Sequence, residues 1–208
     1  MGGLLILFLA GLYLWIAYKV VRRAPPVWGK VLAIVVVVLI PTADAIYGRI
    51  KLKQMCAVEG GIKVYKTVEG VEGFYASQDF YETWIDKYGY RFVEGKNIDS
   101  SSPNKISRLG RNATGEVVST TSNVKLSAYS IDFLSDDNGV YLQETDVIKN
   151  TQTGEVLAKS TRIIYFGGWI ERSLSALYAG RWSADFCPNT DHFISLIEVV
   201  TTTLHPIK

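Results

Sequence analysis

The chain has 208 residues, of which 48% are hydrophobic and 20% charged, with a formal net charge of +2. The mean hydropathy of +0.14 is high for a water-soluble domain. It is also uneven, since residues 1–48 hold only Lys19, Arg22, Arg23, Lys30 and Asp44 as charges and all the rest follow. The later part is close to neutral, which argues against nucleic acid as the main partner, because phosphate neutralisation needs a basic surface. Two Cys and two His leave too few ligands for a metal cluster.

The run Gly2–Tyr18 has no ionisable side chain other than tyrosine. As a helix it rises about 25 Å, a little short of a hydrocarbon core, and Lys19 can snorkel to extend it. Trp15 and Tyr18 lie at its end, where amphipathic rings favour the membrane interface. A second apolar run, Val31–Gly48, holds one charge, Asp44, and leads into Arg49, Lys51 and Lys53. Between the runs lies a short basic segment broken by Pro25 and Pro26. This pattern predicts a transmembrane helical hairpin over residues 1–49, with the lipid bilayer as its first partner. A cleaved leader is disfavoured, because its basic region would precede the apolar run and a small-residue cleavage site would follow. The positive-inside rule places the loop in the cytoplasm and residues 50–208 outside it. That is the layout of a bacterial inner-membrane protein with a periplasmic domain. Asp44, as an intramembrane acid, is a candidate functional residue. Its position near the helix end suits capping, or pairing with Arg49 or Lys51, better.

From Ile50 the chain reads as a single α+β domain. Ile62 and Val64 alternate with Lys63 and Tyr65 as in a strand. Ser77 is placed to cap a helix over 77–89 with Phe80, Tyr81, Trp84, Ile85 and Tyr88 on its apolar stripe and Gly89 ending it. Residues 90–166 predict an antiparallel β-meander, with hairpin turns at Asn112–Gly115, Asp136–Gly139 and Asn150–Gly154. The recurring Thr-Gly-Glu-Val at 114–117 and 153–156 echoes a hairpin turn and is not a repeat unit. Gly167 and Gly168 break the sheet. A second amphipathic helix follows, with Ile170, Leu174, Leu177 and Tyr178 buried. The C-terminal segment reads as a helix fraying into an extended end. The expected domain is an antiparallel sheet of about five strands with two or three packed helices.

Cys56 and Cys187 are far apart in sequence. In an oxidising compartment they can form a disulfide that ties the C-terminal segment to the membrane-proximal start; in the cytosol they would be two buried thiols. His192 and His205 share no helix face, and with Asp191 and Cys187 they make no recognisable metal site. No GxSxG, nucleotide-binding glycine fingerprint or complete calcium loop occurs, so no catalytic residue, cofactor or metal is expected. Asn112-Ala-Thr has the form of a glycosylation sequon within a turn. Aromatic residues are dense along the domain, and most suit a core. Trp169 and Trp182 stand beside glycines at element ends, and with Arg172 and Arg181 they form the candidate partner-binding surface. The expected function is therefore a membrane-anchored, non-catalytic binding or scaffolding module that contacts an envelope protein or a second copy of itself. A membrane-surface, hydrolase-like enzyme using dispersed acids and an oligomeric pore are the alternatives.

Overall fold

The computed structural model describes residues 2–23, 27–77, 82–96, 105–177, 184–189 and 192–207. Two helices open the chain, α1 (Gly2–Arg23) and α2 (Val27–Glu59). They are followed by β1 (Gly61–Val64), β2 (Val68–Val71), β3 (Gly73–Ala76), a single-turn helix α3 (Thr83–Asp86), β4 (Phe92–Lys96), β5 (Ile106–Arg111) and β6 (Val117–Ser122). Three long strands come next, β7 (Tyr129–Asp137), β8 (Tyr141–Asn150) and β9 (Val156–Tyr165). The chain closes with α4 (Trp169–Leu177), β10 (Asp185–Cys187), α5 (His192–Thr203) and β11 (Leu204–Pro206). The fold is α+β: N-terminal helices, then a nine-stranded mixed sheet ordered β1-β9-β8-β7-β3-β4-β5-β6, with β10 alongside β9. β11 and β2 pair in parallel as a separate small sheet. The chain divides into two compact units, the first comprising Met1–Ala57, Asp137–Leu142 and Ile164–Phe186, the second comprising Val58–Asp136, Gln143–Ile163 and Cys187–Lys208. Cys56 and Cys187 are joined in a disulfide.

In the first unit, α2 is bent by 56° between Val27–Val37 and Thr42–Glu59. Pro41 lies in the break and has no N–H, so the carbonyl four residues earlier, that of Val37, loses its helical donor. The Tyr13 hydroxyl on α1 donates to this carbonyl and links the two helices. Among the described residues no single helix is long and apolar enough to cross a membrane; by length and composition the two arms of α2 meet that requirement only together. Further along α2, Gly48 is buried, and a Cβ there would collide with the Tyr165 ring and hydroxyl. The Tyr141 hydroxyl donates to the Gly48 carbonyl at 3.0 Å, and the Tyr165 hydroxyl donates to that of Asp44 at 3.3 Å.

In the second unit, one face of the sheet is dry. Phe74, Val93, Ile131, Ile148 and Ala158 meet Trp84 and Ile85 of α3 and Val199 and Val200 of α5 in one core. Phe74 is the hub of its aromatic part, edge-on to Trp84 at 5.3 Å and to Tyr90 at 4.9 Å. The buried Tyr90 hydroxyl donates to the Leu204 carbonyl at 2.6 Å, which anchors β11 to the core. Its burial raises the phenol pKa, so the hydroxyl remains a donor.

Several sequence expectations change. The sheet is mixed and not an antiparallel meander, since β3 runs parallel to both β4 and β7. The cause is the return path through α3 after β3, which brings β4 back in the same direction, as a crossover does. Of the helix expected over 77–89, Thr83–Asp86 is helical, and residues 78–81 lie outside the described residues. The Ser77 N–H donates to the Ile131 carbonyl and its hydroxyl accepts the Phe133 N–H, prolonging the β3–β7 pairing. Gly89, at φ +80°, follows the helix as expected. All three hairpin turns form, and in two of them the leading asparagine side chain, Asn112 or Asn150, accepts backbone N–H bonds from the residues that follow. The C-terminal helix gives way to the extended β11 as expected. α2 continues past Gly48 to Glu59. The α4 residue Ile170 is half-buried, whereas the side chains of Leu174, Leu177 and Tyr178 lie outside the described residues.

Tyr13→Phe removes the only side-chain atom that reaches the Val37 carbonyl among the described contacts. Leaving a partly buried acceptor unpaired costs up to about 1–3 kcal/mol, so the full chain in detergent is expected to melt at lower temperature, and an unchanged Tm would contradict the role assigned to this bond. Cys56→Ser or Cys187→Ser opens a very long covalent loop worth on the order of 4–5 kcal/mol in the chain-entropy model. Both variants should lose the mobility difference between reduced and non-reduced gels that the wild type shows.

Candidate functional site

The opposite face of the sheet is wet. In a pleated strand alternate residues share a face; on β8, Thr145 and Val147 point one way, while Asp146 and Ile148 between them are buried on the other. The wet sides of β1, β9, β8 and β7 enclose an open groove of about 520 Å³ within the second unit. Thr145, Thr161 and Val147 line it together with Gln143, Leu134 and Tyr65. The Thr145 and Thr161 hydroxyls are 3.3 Å apart and share a hydrogen bond across the strands.

Four charged side chains complete the groove. Lys63 on β1 stands directly opposite Lys159 on β9, a like-charge pair that disfavours the bare sheet. The Lys63 ammonium donates to the Val58 carbonyl. Glu59 and Asp136 supply the negative side, and Glu59 accepts from the Gln143 amide at 3.0 Å. The lining thus balances two cations against two anions, with hydroxyls, an amide and exposed Tyr65 among them. Such a surface suits a ligand with charges of both signs and hydrogen-bonding capacity.

Further along the sheet, register aligns Tyr75, Glu94 and Arg108 across β3, β4 and β5. Glu94 is fully buried. One carboxylate oxygen takes two bonds from Arg108, at 2.6 and 2.9 Å, and the other takes the Ser127 hydroxyl at 2.7 Å and its N–H at 3.0 Å. The Leu126 N–H adds contacts at 3.1 Å. Burial pushes the Glu94 pKa up, but Ser127, Arg108 and the backbone donors outweigh it and leave the carboxyl below its ordinary value. Lys125 sits 4.1 Å from the Tyr75 ring centroid, and burial lowers its pKa. Glu94 has every acceptor position occupied, so it clamps the 124–127 segment to the sheet and has no capacity left for a ligand.

Of the residues singled out from sequence, Asp44, Trp169 and Arg172 are not among the residues that line the groove. Asp44 caps α4: its Oδ2 accepts the Trp169 N–H at 2.6 Å, and its buried Oδ1 has no hydrogen-bond partner among the described residues. Arg49 pairs with Glu171 at 2.7 Å and with Asp185 at 2.8 Å, not with Asp44. Glu171 also accepts the Gly168 N–H at 2.7 Å. Trp169 is about half exposed, at 51%, and Arg172 is turned back onto the Gly167 carbonyl at 2.7 Å. Arg181 and Trp182 lie outside the described residues, as does Asp191. Sequence reading passed over Lys159, Thr161 and Thr145. Their alternating polar spacing was visible, but the pairing that gathers them was not. Among the described residues no group of three or more His, Cys, Asp or Glu side chains could hold a metal ion. No protein-family model, no curated protein and no solved structure matches this chain.

Because the Glu94 pKa is lower in the native state than in the unfolded chain, the clamp contributes fully above the unfolded value and is lost as pH falls through the native one. Wild-type stability should therefore drop on acidification below about pH 4.5. Glu94→Gln should destabilise by about 3–5 kcal/mol near neutrality by leaving Arg108 without its counter-charge, and should flatten that acid limb. Urea titrations at several pH values measure both, and an unaltered acid limb in the variant would refute the assignment.

Proposed function

We propose that this chain is a membrane-anchored, non-catalytic binding protein, and that the groove on the wet sheet face receives a segment of an envelope protein. The anchor is the α1–α2 hairpin, whose apolar runs and Tyr13–Val37 link support a paired insertion. The disulfide favours an oxidising, extracytoplasmic compartment, in agreement with the basic loop between the helices on the cytoplasmic side. The observation that carries the reading is the groove itself, with Lys63 and Lys159 held face to face and Glu59 and Asp136 opposing them in charge. A partner segment bearing acidic and basic side chains relieves the lysine–lysine repulsion and keeps the hydroxyl floor hydrogen-bonded.

The test is site-specific photo-crosslinking in intact membranes, with the crosslinker replacing Tyr65 or Leu134. A discrete adduct is expected. The double variant Lys63→Glu, Lys159→Glu should lower its yield roughly tenfold through lost charge complementarity, with its melting curve and disulfide unchanged. Equal yield in that variant, or no adduct from either position, overturns the proposal.

A further inference from the structure

Between Asp44 and Lys53 α2 has two contrasting faces. One is packed, with Ala45, Gly48 and Leu52 buried. The other is bare: Ile46 is 49% exposed, Tyr47 67% and Ile50 52%. These three positions form one stripe, since residues three or four apart share a helix face. Two aromatics from distant parts of the chain stand beside this stretch of the helix, within about two turns of each other. Trp169 is fixed there by its N–H bond to Asp44, and Phe186 follows Asp185, which holds Arg49. Both rings are exposed. Exposed Lys51 and Lys53 come directly after.

The bare stripe continues an exposed aliphatic surface along the earlier arm of α2, including Leu32, Ile34 and Val36. At the other end of the two helices, Trp15, Tyr18 and Trp28 are exposed as well. The order is therefore aromatic level, aliphatic stretch, aromatic level, then lysines. A bilayer imposes this order, because amphipathic rings settle at each headgroup boundary and lysines reach past it to water. We infer that Tyr47, Trp169 and Phe186 form an interfacial collar that seats the first unit in the lipid headgroup layer on the side where α2 emerges. This rests on the membrane reading above and adds to it: α4, outside the hairpin in sequence, is itself in contact with lipid. Asp44 then serves as a positioning residue, holding Trp169 at the depth of the collar.

The test uses the full chain in phosphatidylcholine–phosphatidylglycerol vesicles, with lipids brominated near either the headgroup end or the methyl end of the acyl chains. Wild type and Trp169→Phe are compared, so that the difference in emission reports Trp169 alone. That component should be quenched by shallow bromines more than by deep ones. Asp44→Ala, which removes the acceptor of the Trp169 N–H, should weaken the preference for shallow bromines with the disulfide and melting curve intact, and an unchanged preference would overturn the positioning role. If other tryptophans are quenched but the Trp169 component is not, the collar is wrong while the anchor stands. Stronger quenching by deep bromines also refutes it, as does an unquenched Trp169 in a chain that crosslinks to a second copy through position 47. If no tryptophan is quenched and the chain stays in the aqueous phase, the membrane reading itself fails.

Discussion

The pleat of the sheet is the constraint behind most of the second unit. Each strand sends successive side chains to opposite faces, and α3 and α5 cover the face that carries Phe74, Val93, Ile131 and Ile148. The other face must then be wet. Thr145 and Lys159 are tolerable there because water can reach them, the buried Thr161 shares a hydroxyl hydrogen bond with Thr145, and an open groove lies where four strands turn that face toward solvent. The buried Glu94 marks the point where the wet face is locally closed: a segment folds over it, and the carboxylate is retained because Arg108, Ser127 and two backbone N–H groups replace the lost water.

Backbone accounting governs the first unit in a similar way. Pro41 frees the Val37 carbonyl, and Tyr13 takes it up. Gly48 omits a side chain so that Tyr165 can lie against α2, and the two tyrosines, Tyr141 and Tyr165, reach carbonyls on that helix. Asp44 satisfies an N–H at the start of α4, the place where a helix has donors without internal acceptors. An acid that looks anomalous in an apolar run therefore has an ordinary structural partner far away in sequence.

Local features were legible because their causes are local. The hairpin turns at Asn112, Asp136 and Asn150 follow from side chains that bond to backbone within a few residues. Gly89 and the change from α5 to β11 were readable for the same reason. The Ser77 hydroxyl, expected to cap the helix that follows, accepts an N–H from a strand more than fifty positions later. The aromatic pair expected as a contact surface is read from neighbouring glycines; Trp169 is about half exposed, and Trp182 lies outside the described residues. The groove escaped notice since Lys63 and Lys159 are separated by most of the domain, and neither is unusual alone.

Sequence alone determined that an apolar, nearly uncharged N-terminal stretch precedes an α+β domain, because hydropathy and turn chemistry are properties of short windows. It also narrowed the cysteines to a bridge or two thiols. Only the tertiary structure decided that β3 lies between β7 and β4 in parallel, that Asp44 meets Trp169, and that two lysines stand opposite each other on neighbouring strands of a groove. Those outcomes depend on which distant strands pair, and pairing is selected by the burial of a whole sheet face at once, a sum over residues that no single window contains.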